Sequence, residues 1–432
     1  MRTFLSLLLL LAVSGLPATA QNRAIVRDNL GQAGLQTTCL ALGCAVNGGI
    51  DGPLGQVFVI TPPVNVNLTA FLAHLVHQLG VTNAEPDQGL NLLQSQPLTA
   101  PSGLLDTVPV SYYGTTVWHG YANQPAVQIV NLPAVQSLNF GQTTGAGIVA
   151  IIDTGVDPTH PVLQSVLLAG QDFTRNQAGA SELADTNQES MAVVNGAAPA
   201  QINQESMAVV NQDGSATFSR PEYAAFGHGT MTAGIVHLVA PTAQIMPLKA
   251  FGADGTGKLS DVLRAIYYAA QNGATVLNMS FDFSSRSTEL DSALRYATTA
   301  GAVGVASVGN DGDSRTVFPA GYANIIGVAS TSNNDTLSSF SNYGRPTVSL
   351  AAPGEGIITT YPYGTYAAGW GTSFSAPFVS GAVALLRSVN PGVTAQSASN
   401  ALSHATRISP ALGFGRLDVY QAVTWCQAAH GC

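Results

Sequence analysis

The chain has 432 residues, enough for two or three domains with a sizeable core, and only 9% of them are charged, against roughly 25% in an average soluble protein. Fifteen Lys and Arg stand against 24 Asp and Glu, a net charge of −9, with no clustered basic stripe, so nucleic acid is not an expected partner. A hydrophobic share of 46% excludes a disordered chain, because that much apolar surface offsets chain entropy.

Arg2 precedes the apolar run Leu5 to Val13, and Pro17 then leads into Ala18-Thr19-Ala20. Residues 1–20 therefore read as a secretory signal cut after Ala20, which predicts a secreted or periplasmic protein. The run is too short to span a membrane, and no later stretch is long enough without polar interruption. Export makes the four cysteines candidates for disulfides. Nearness in sequence favours Cys39 with Cys44 and Cys426 with Cys432 among the three connectivities.

From Gln21 to about residue 105 the sequence is polar and rich in Gly and Leu. One strand is predicted, Gln56–Ile60, and an amphipathic helix follows with Leu68, Phe71, Leu72, Leu75, Val76 and Leu79 at helical spacing. His74 and His77 lie three apart on that helix, but with no acidic or third His partner nearby they read as a solvated face rather than a metal site. The stretch Pro97 to Pro109 reads as a linker.

Beyond it, short apolar runs alternate with helical stretches. The runs are Gly147–Asp153, Ala243–Phe251, Ala274–Phe281, Gly301–Gly309 and Asn324–Ser330; the helices are Leu259–Asn272, Leu290–Gly301 and Ser373–Val389. Continuous apolar strands separated by helices predict an α/β fold, a mainly parallel sheet covered on both faces, with functional residues at the strands' carboxyl ends. A polar insertion over residues 175–225 interrupts the pattern. It carries NQESMAVVN twice, at Asn187–Asn195 and Asn203–Asn211. Two copies are too few for a repeat architecture, so a local duplication in a tolerant surface insertion is expected, the alternative being a small hairpin near the active site.

Three segments carry chemistry. The strand Gly147 to Ile152 ends in Asp153, with Thr154-Gly155 turning the chain, which places a carboxylate to orient an imidazole. Phe226-Gly227-His228-Gly229-Thr230 opens a helix, and its glycines are expected to permit close backbone approach and leave the ring accessible. Gly371-Thr372-Ser373-Phe374-Ser375-Ala376-Pro377 opens another. Alone, Ser373 would read as a helix cap, but small neighbours clear space around it and helix polarity favours negative charge nearby.

The order Asp153, His228, Ser373 with these motifs closely resembles the subtilisin-like serine peptidases. The resemblance covers roughly Asn139 to Val423. Asp157-Pro158-Thr159-His160-Pro161 matches the stretch after the family's catalytic Asp, which makes His160 structural. Ala306 to Asn310 matches the strand end that supplies the oxyanion asparagine, and Phe318-Pro319-Ala320, Ala352-Pro353-Gly354 and Gly413 to Asp418 match further landmarks. The resemblance implies a three-layer subtilisin-like domain over residues 111–425, a short tail over 426–432, and a small α+β propeptide over 21–110 that inhibits the enzyme until cleaved. It implies Ser373 as nucleophile, His228 as base, Asp153 as its orienting partner and Asn310 as oxyanion donor, acting on protein or peptide substrates. The strand end Asn278–Phe281 would pair with an extended peptide. A monomer is expected, with no cofactor required and structural calcium left open.

The departures from the family pattern bear on specificity. Phe281-Asp282-Phe283 follows Ser280 where a glycine pair is common. Ser307 and Val308 replace two common alanines before Gly309, and Val317 stands where a glycine often opens the pocket floor. The usual preference for large apolar side chains is therefore not transferred. The sedolisins, which use Glu where His would act, fit the Gly-His228-Gly block poorly, and a decayed scaffold would have lost a triad member or the oxyanion donor. An α/β-hydrolase elbow fails because position 375 is Ser.

Overall fold

The computed structural model describes residues 23–91, 101–137, 143–186, 223–428 and 432. The expected signal segment and both NQESMAVVN copies lie outside the described residues.

The larger sheet has eight strands in the order Gln177–Ala178, Gln171–Asp172, Gln244–Lys249, Ile148–Asp153, Val276–Met279, Val303–Ser307, Ile325–Thr331, Leu350–Pro353. Every neighbouring pair is parallel except the first. Side chains alternate across it as a two-residue period demands. Val149 and Ile151 enter the core shared with helices His228–Val239 and Thr372–Val389, whereas Ala150 and Ile152 enter the core shared with Leu259–Gln271 and Thr288–Thr299. Helices thus cover both faces, giving the three-layer α/β arrangement that the continuous apolar strands predict. The helix Thr372–Val389 is buried from Thr372 to Arg387, which its small and apolar residues on every side allow.

The amino-terminal region is richer in strands than its sequence suggests. Ala45–Gly49, Val57–Thr61, Ala24–Asp28 and Val81–Pro86 form an antiparallel sheet in that order, with helices Gly31–Leu42 and Leu68–Leu75 on one face. Ala24, Val26, Phe58 and Ile60 pack under those helices, while Ile25, Val57 and Val59 face the main body and join its core. Only Val57–Thr61 is apolar over four successive residues; Ala24–Asp28 ends in Arg and Asp, and the other two carry Gly, Asn or Glu, which hides them from a pattern search. The second helix stops at Leu75, and Leu79 is exposed.

The expected linker Pro97–Pro109 is only partly within the described residues, and one of its residues, Leu104, is buried in the main core together with the residues that follow it. Leu104, Tyr112, Val117 and Tyr121 all lie in the main core. The Tyr121 hydroxyl donates to the Gly234 carbonyl at 2.7 Å, and that of Tyr112 donates to the Leu238 carbonyl. Aromatic bodies buried with their hydroxyls satisfied are core construction. The carboxyl-terminal residues are fastened by the Cys426–Cys432 disulfide and by the Asn390 amide, which donates to the Cys432 carbonyl at 2.8 Å, and Cys39–Cys44 closes the end of the first helix in the amino-terminal unit.

Candidate active site

Three parallel strands end side by side, and their carboxyl ends hold Asp153, Ser280 and the Gly309-Asn310 turn. Asp153 is buried. His228 Nδ1 lies 2.7 and 2.8 Å from its two oxygens, the Thr154 N–H donates to it at 2.7 Å, and the Thr232 hydroxyl is 3.3 Å away. A carboxylate on Nδ1 requires the proton there, so the neutral ring presents Nε2 as an acceptor. Nε2 is buried and has no hydrogen-bond partner. Such an orphan nitrogen costs stability unless chemistry uses it.

The glycines around His228 serve packing rather than exposure, which corrects the expectation of an accessible ring: His228 is 0% exposed. A Cβ on Gly229 would lie 1.8 Å from the Gly155 carbonyl oxygen, and one on Gly227, whose φ is +92°, 2.1 Å from the Tyr361 ring. Gly229 lets the helix start press against the turn that carries Asp153, and Gly227 lets it press against Tyr361 at the end of strand Ile357–Tyr361.

Ser373 sits in the first turn of its helix and is 4% exposed. Its hydroxyl donates to the Ser280 carbonyl at 3.1 Å, and the Ser280 hydroxyl donates to the Ser373 carbonyl at 2.9 Å. Pro377 explains the second bond: it lacks the N–H that would bind the carbonyl four residues earlier, so Ser280 supplies the donor. Asn278 Nδ2 in turn donates to the Ser280 hydroxyl at 3.0 Å. Asn310 accepts through Oδ1 from the Thr372 N–H at 2.8 Å and the Thr372 hydroxyl at 3.0 Å. A backbone N–H can only donate, so the amide orientation is fixed with both Nδ2 protons on the far side. First-turn geometry also leaves the Ser373 N–H without an acceptor inside its helix.

The residues singled out for specificity divide. Ser307, Val308 and Val317 are all buried, and Ser307 Oγ has no hydrogen-bond partner. The Phe281 side chain, expected to bring bulk to the substrate strand, instead joins the main core with its ring centroid 5.2 Å from that of Phe251. Phe283 pairs with Phe318 through two backbone hydrogen bonds of 2.9 Å, closing the loop beyond the strand. Asp282 stays partly exposed, and Gly309 brings its backbone close enough that an added Cβ would lie 2.9 Å from the Asp282 carboxylate. His160 is buried with Nε2 3.1 Å from the Thr365 carbonyl, and burial lowers its pKa, as suits a structural imidazole.

Sequence reading missed Glu182 and Lys249. Glu182 is fully buried behind the Asp153–His228 pair. Its Oε2 accepts from the Gly227 N–H at 2.8 Å and the Thr154 hydroxyl at 3.2 Å; its Oε1 accepts from the Thr230 N–H at 3.2 Å and from the Thr230 hydroxyl. Lys249, also buried, donates to the Thr154 carbonyl at 2.8 Å, the Phe251 carbonyl at 2.7 Å and Asp185 at 2.6 Å. Neither residue stands in a recognisable motif; the only sequence signal was a lysine inside an otherwise apolar strand.

A buried Asp–His pair lies on the carboxyl edge of a parallel sheet, with the His228 ring centroid 5.7 Å from that of Phe374 in the first turn of the helix that carries Ser373, while the Ser373 hydroxyl is bonded to the Ser280 carbonyl and not to Nε2. The family comparison is specific. Residues 145–419 match the model of the subtilase family, and the chain belongs to that family. It is 35% identical over 279 residues to the thermophilic serine proteinase of Bacillus sp. (strain AK1), covering 64% of this chain and 61% of that protein. Thermitase of Thermoactinomyces vulgaris is 34% identical over 308 residues, covering 68% of this chain and 94% of that one. Among solved structures, fervidolysin from Fervidobacterium pennivorans, a keratinolytic enzyme related to subtilisin, shares the fold with a TM-score of 0.70 at 22% identity, covering 93% of this chain and 61% of that one.

Proposed function

We propose that the chain is a serine endopeptidase made as a proenzyme and exported. The observation that carries the reading is the buried Asp153–His228 pair, with Nε2 unpartnered and the ring packed against Phe374 in the first turn of the helix that bears Ser373. In this reading His228 removes the Ser373 proton as Oγ attacks the scissile carbonyl, and returns it to the leaving amine. Asp153 holds the reactive tautomer and balances the imidazolium charge. The developing oxyanion takes hydrogen bonds from Asn310 Nδ2 and the Ser373 N–H. Water, activated by the same imidazole, then hydrolyses the acyl-enzyme.

The amino-terminal α+β unit is its intramolecular inhibitor. Gly89–Asn91 adds an antiparallel strand to Thr256–Lys258, with Leu90 opposite Gly257 and buried. That is how an extended peptide binds a free sheet edge. Processing then falls after Asn91 and before the core residue Leu104, earlier than the boundary at 110. Two local disulfides fit an oxidising compartment. The test is a fluorophosphonate probe with mass mapping of the label: it should sit on Ser373, and a mature chain should begin between residues 92 and 104. A catalytically inert, unlabelled protein would overturn the reading.

A further inference from the structure

The helix that begins at His228 has an unusual start. Its N-cap is Gly227, which has no side chain to accept the first-turn N–H groups, and the Tyr361 ring leaves no room for one. The capping carboxylate comes instead from Glu182, 45 residues away in sequence. Its four donors can be assigned without ambiguity. Two are backbone N–H groups. The Thr154 hydroxyl already accepts from the Gly229 N–H at 3.0 Å, and the Thr230 hydroxyl from the Asp157 N–H at 2.8 Å, so each turns its own proton to Glu182. One carboxylate therefore ties the Asp153–Asp157 turn to the Gly227–Thr230 helix start, the two segments that hold the Asp153–His228 hydrogen bond.

We propose that Glu182 is a positioning residue for the reaction: it fixes the mutual placement of Asp153 and His228 and so the aim of Nε2 toward Ser373, without touching substrate. The proposal rests on the reading of those three residues as a triad. The two backbone N–H groups can only donate, and a proton on Glu182 would have to replace a hydroxyl's donation, so the ionised form is the one that takes all four bonds and holds the two segments together. Burial opposes that charge and pushes the carboxyl up to about 8, against the pull of Thr230, Gly227 and Lys249; Asp153 also raises it. The titratable groups around it are Lys249 and Asp153 on the two adjoining strands, His228 on the helix start it caps, and Asp185 on its own turn, the last held by Lys249. Below that range a protonated Glu182 must break at least one of the four bonds, so activity should rise as this group ionises.

Glu182→Gln tests it with almost no change of shape, because the new NH₂ faces two donors. In the mature enzyme, kcat per fluorophosphonate-titrated site should fall about 10- to 100-fold, the scale of a small misplacement in a reacting pair, with KM nearly unchanged. The pH profile of kcat should also lose the ionisation near 8. Thr154→Val, which removes one donor, should give a smaller loss that adds little to that of Glu182→Gln. If Glu182→Gln matures too slowly for kinetics, the downfield Nδ1 proton of His228 can be compared in the Ser373→Ala precursor with and without Glu182→Gln; it should shift or exchange faster. Wild-type kcat and pH profile in Glu182→Gln, or an unmoved Nδ1 proton, would overturn the inference. Absence of label on Ser373 in the wild type would instead overturn the triad reading beneath it.

Discussion

The amino-terminal sheet and the eight-stranded sheet bury the same kinds of side chain, yet they are joined to their surroundings differently. The larger sheet is covered by its own helices through two continuous apolar cores. The smaller one borrows the rest of the molecule for its second face, and its rim is polar. Asp87 accepts from the Ser260 N–H and hydroxyl, both at 2.9 Å, at the start of helix Leu259–Gln271. Glu85 does the same with the Ser287 hydroxyl and the Thr288 N–H at the start of Thr288–Thr299. Arg27 pairs with Glu289 at 2.7 Å. Carboxylates at two helix starts and a three-residue strand addition make a specific, largely polar attachment. Residues 101–137, by contrast, are threaded into the main core and cannot leave it without unfolding.

Ser373→Ala gives the sharpest version of that contrast. It should lower kcat by about 10⁴- to 10⁶-fold, and the precursor should keep its amino-terminal unit. Intact mass of both forms, purified alike, checks it. A variant trimmed like the wild type would assign processing to another protease. Asn310→Ala should act next most strongly, lowering kcat about 10²- to 10³-fold. It also removes the acceptor of the Thr372 N–H, so a lowered melting temperature would mean the helix start itself had shifted.

The attachment can be loosened without touching the site. Burial raises the Glu85 carboxyl above its usual range, more than its bonds to Ser287 and Thr288 lower it. The docked state thus holds a proton more readily than the released unit. Docking is favoured fully below the free carboxyl range and loses that contribution as pH rises through the docked value. Release of the cleaved unit should therefore accelerate a few-fold from mildly acidic to neutral pH, and Glu85→Gln should flatten the dependence. Following the cleaved unit by size exclusion across pH measures this; a steeper dependence in the variant would count against it.

What the sequence made legible follows from how local each feature is. Asp153, His228, Ser373 and Asn310 each lie at the end of an apolar element inside a short motif that is weak alone, and only their chain order together made them candidates. The parallel sheet was readable from the same apolar elements. Glu182 was not, because its partners come from two distant segments and nothing beside it in sequence marks it. The short polar strands of the amino-terminal unit were hidden because their apolar face is completed only by contact with the main body. Phe281 misled because a strand's period places its side chain inward while only its backbone stands at the expected edge.

The smallest expected effect concerns the duplicated insertion. Its amino-terminal anchor is built: Arg175 pairs with Asp172 and Asp185, Lys249 with Asp185, and the Thr186 hydroxyl lies 3.1 Å from that of Tyr363. Deleting Asn187–Ile202 removes one copy of NQESMAVVN but none of those contacts. The connection shortens by less than a halving, so the change in loop closure stays below about 0.6 kcal/mol. Turnover of short peptides and the melting temperature should therefore match the wild type. Turnover of a folded protein substrate is the discriminating measurement. If it too is unchanged, the insertion is a tolerated surface loop. A loss confined to protein substrates would make it part of the recognition surface, and a loss with short peptides would show that the strain reaches Glu182 through Asp185.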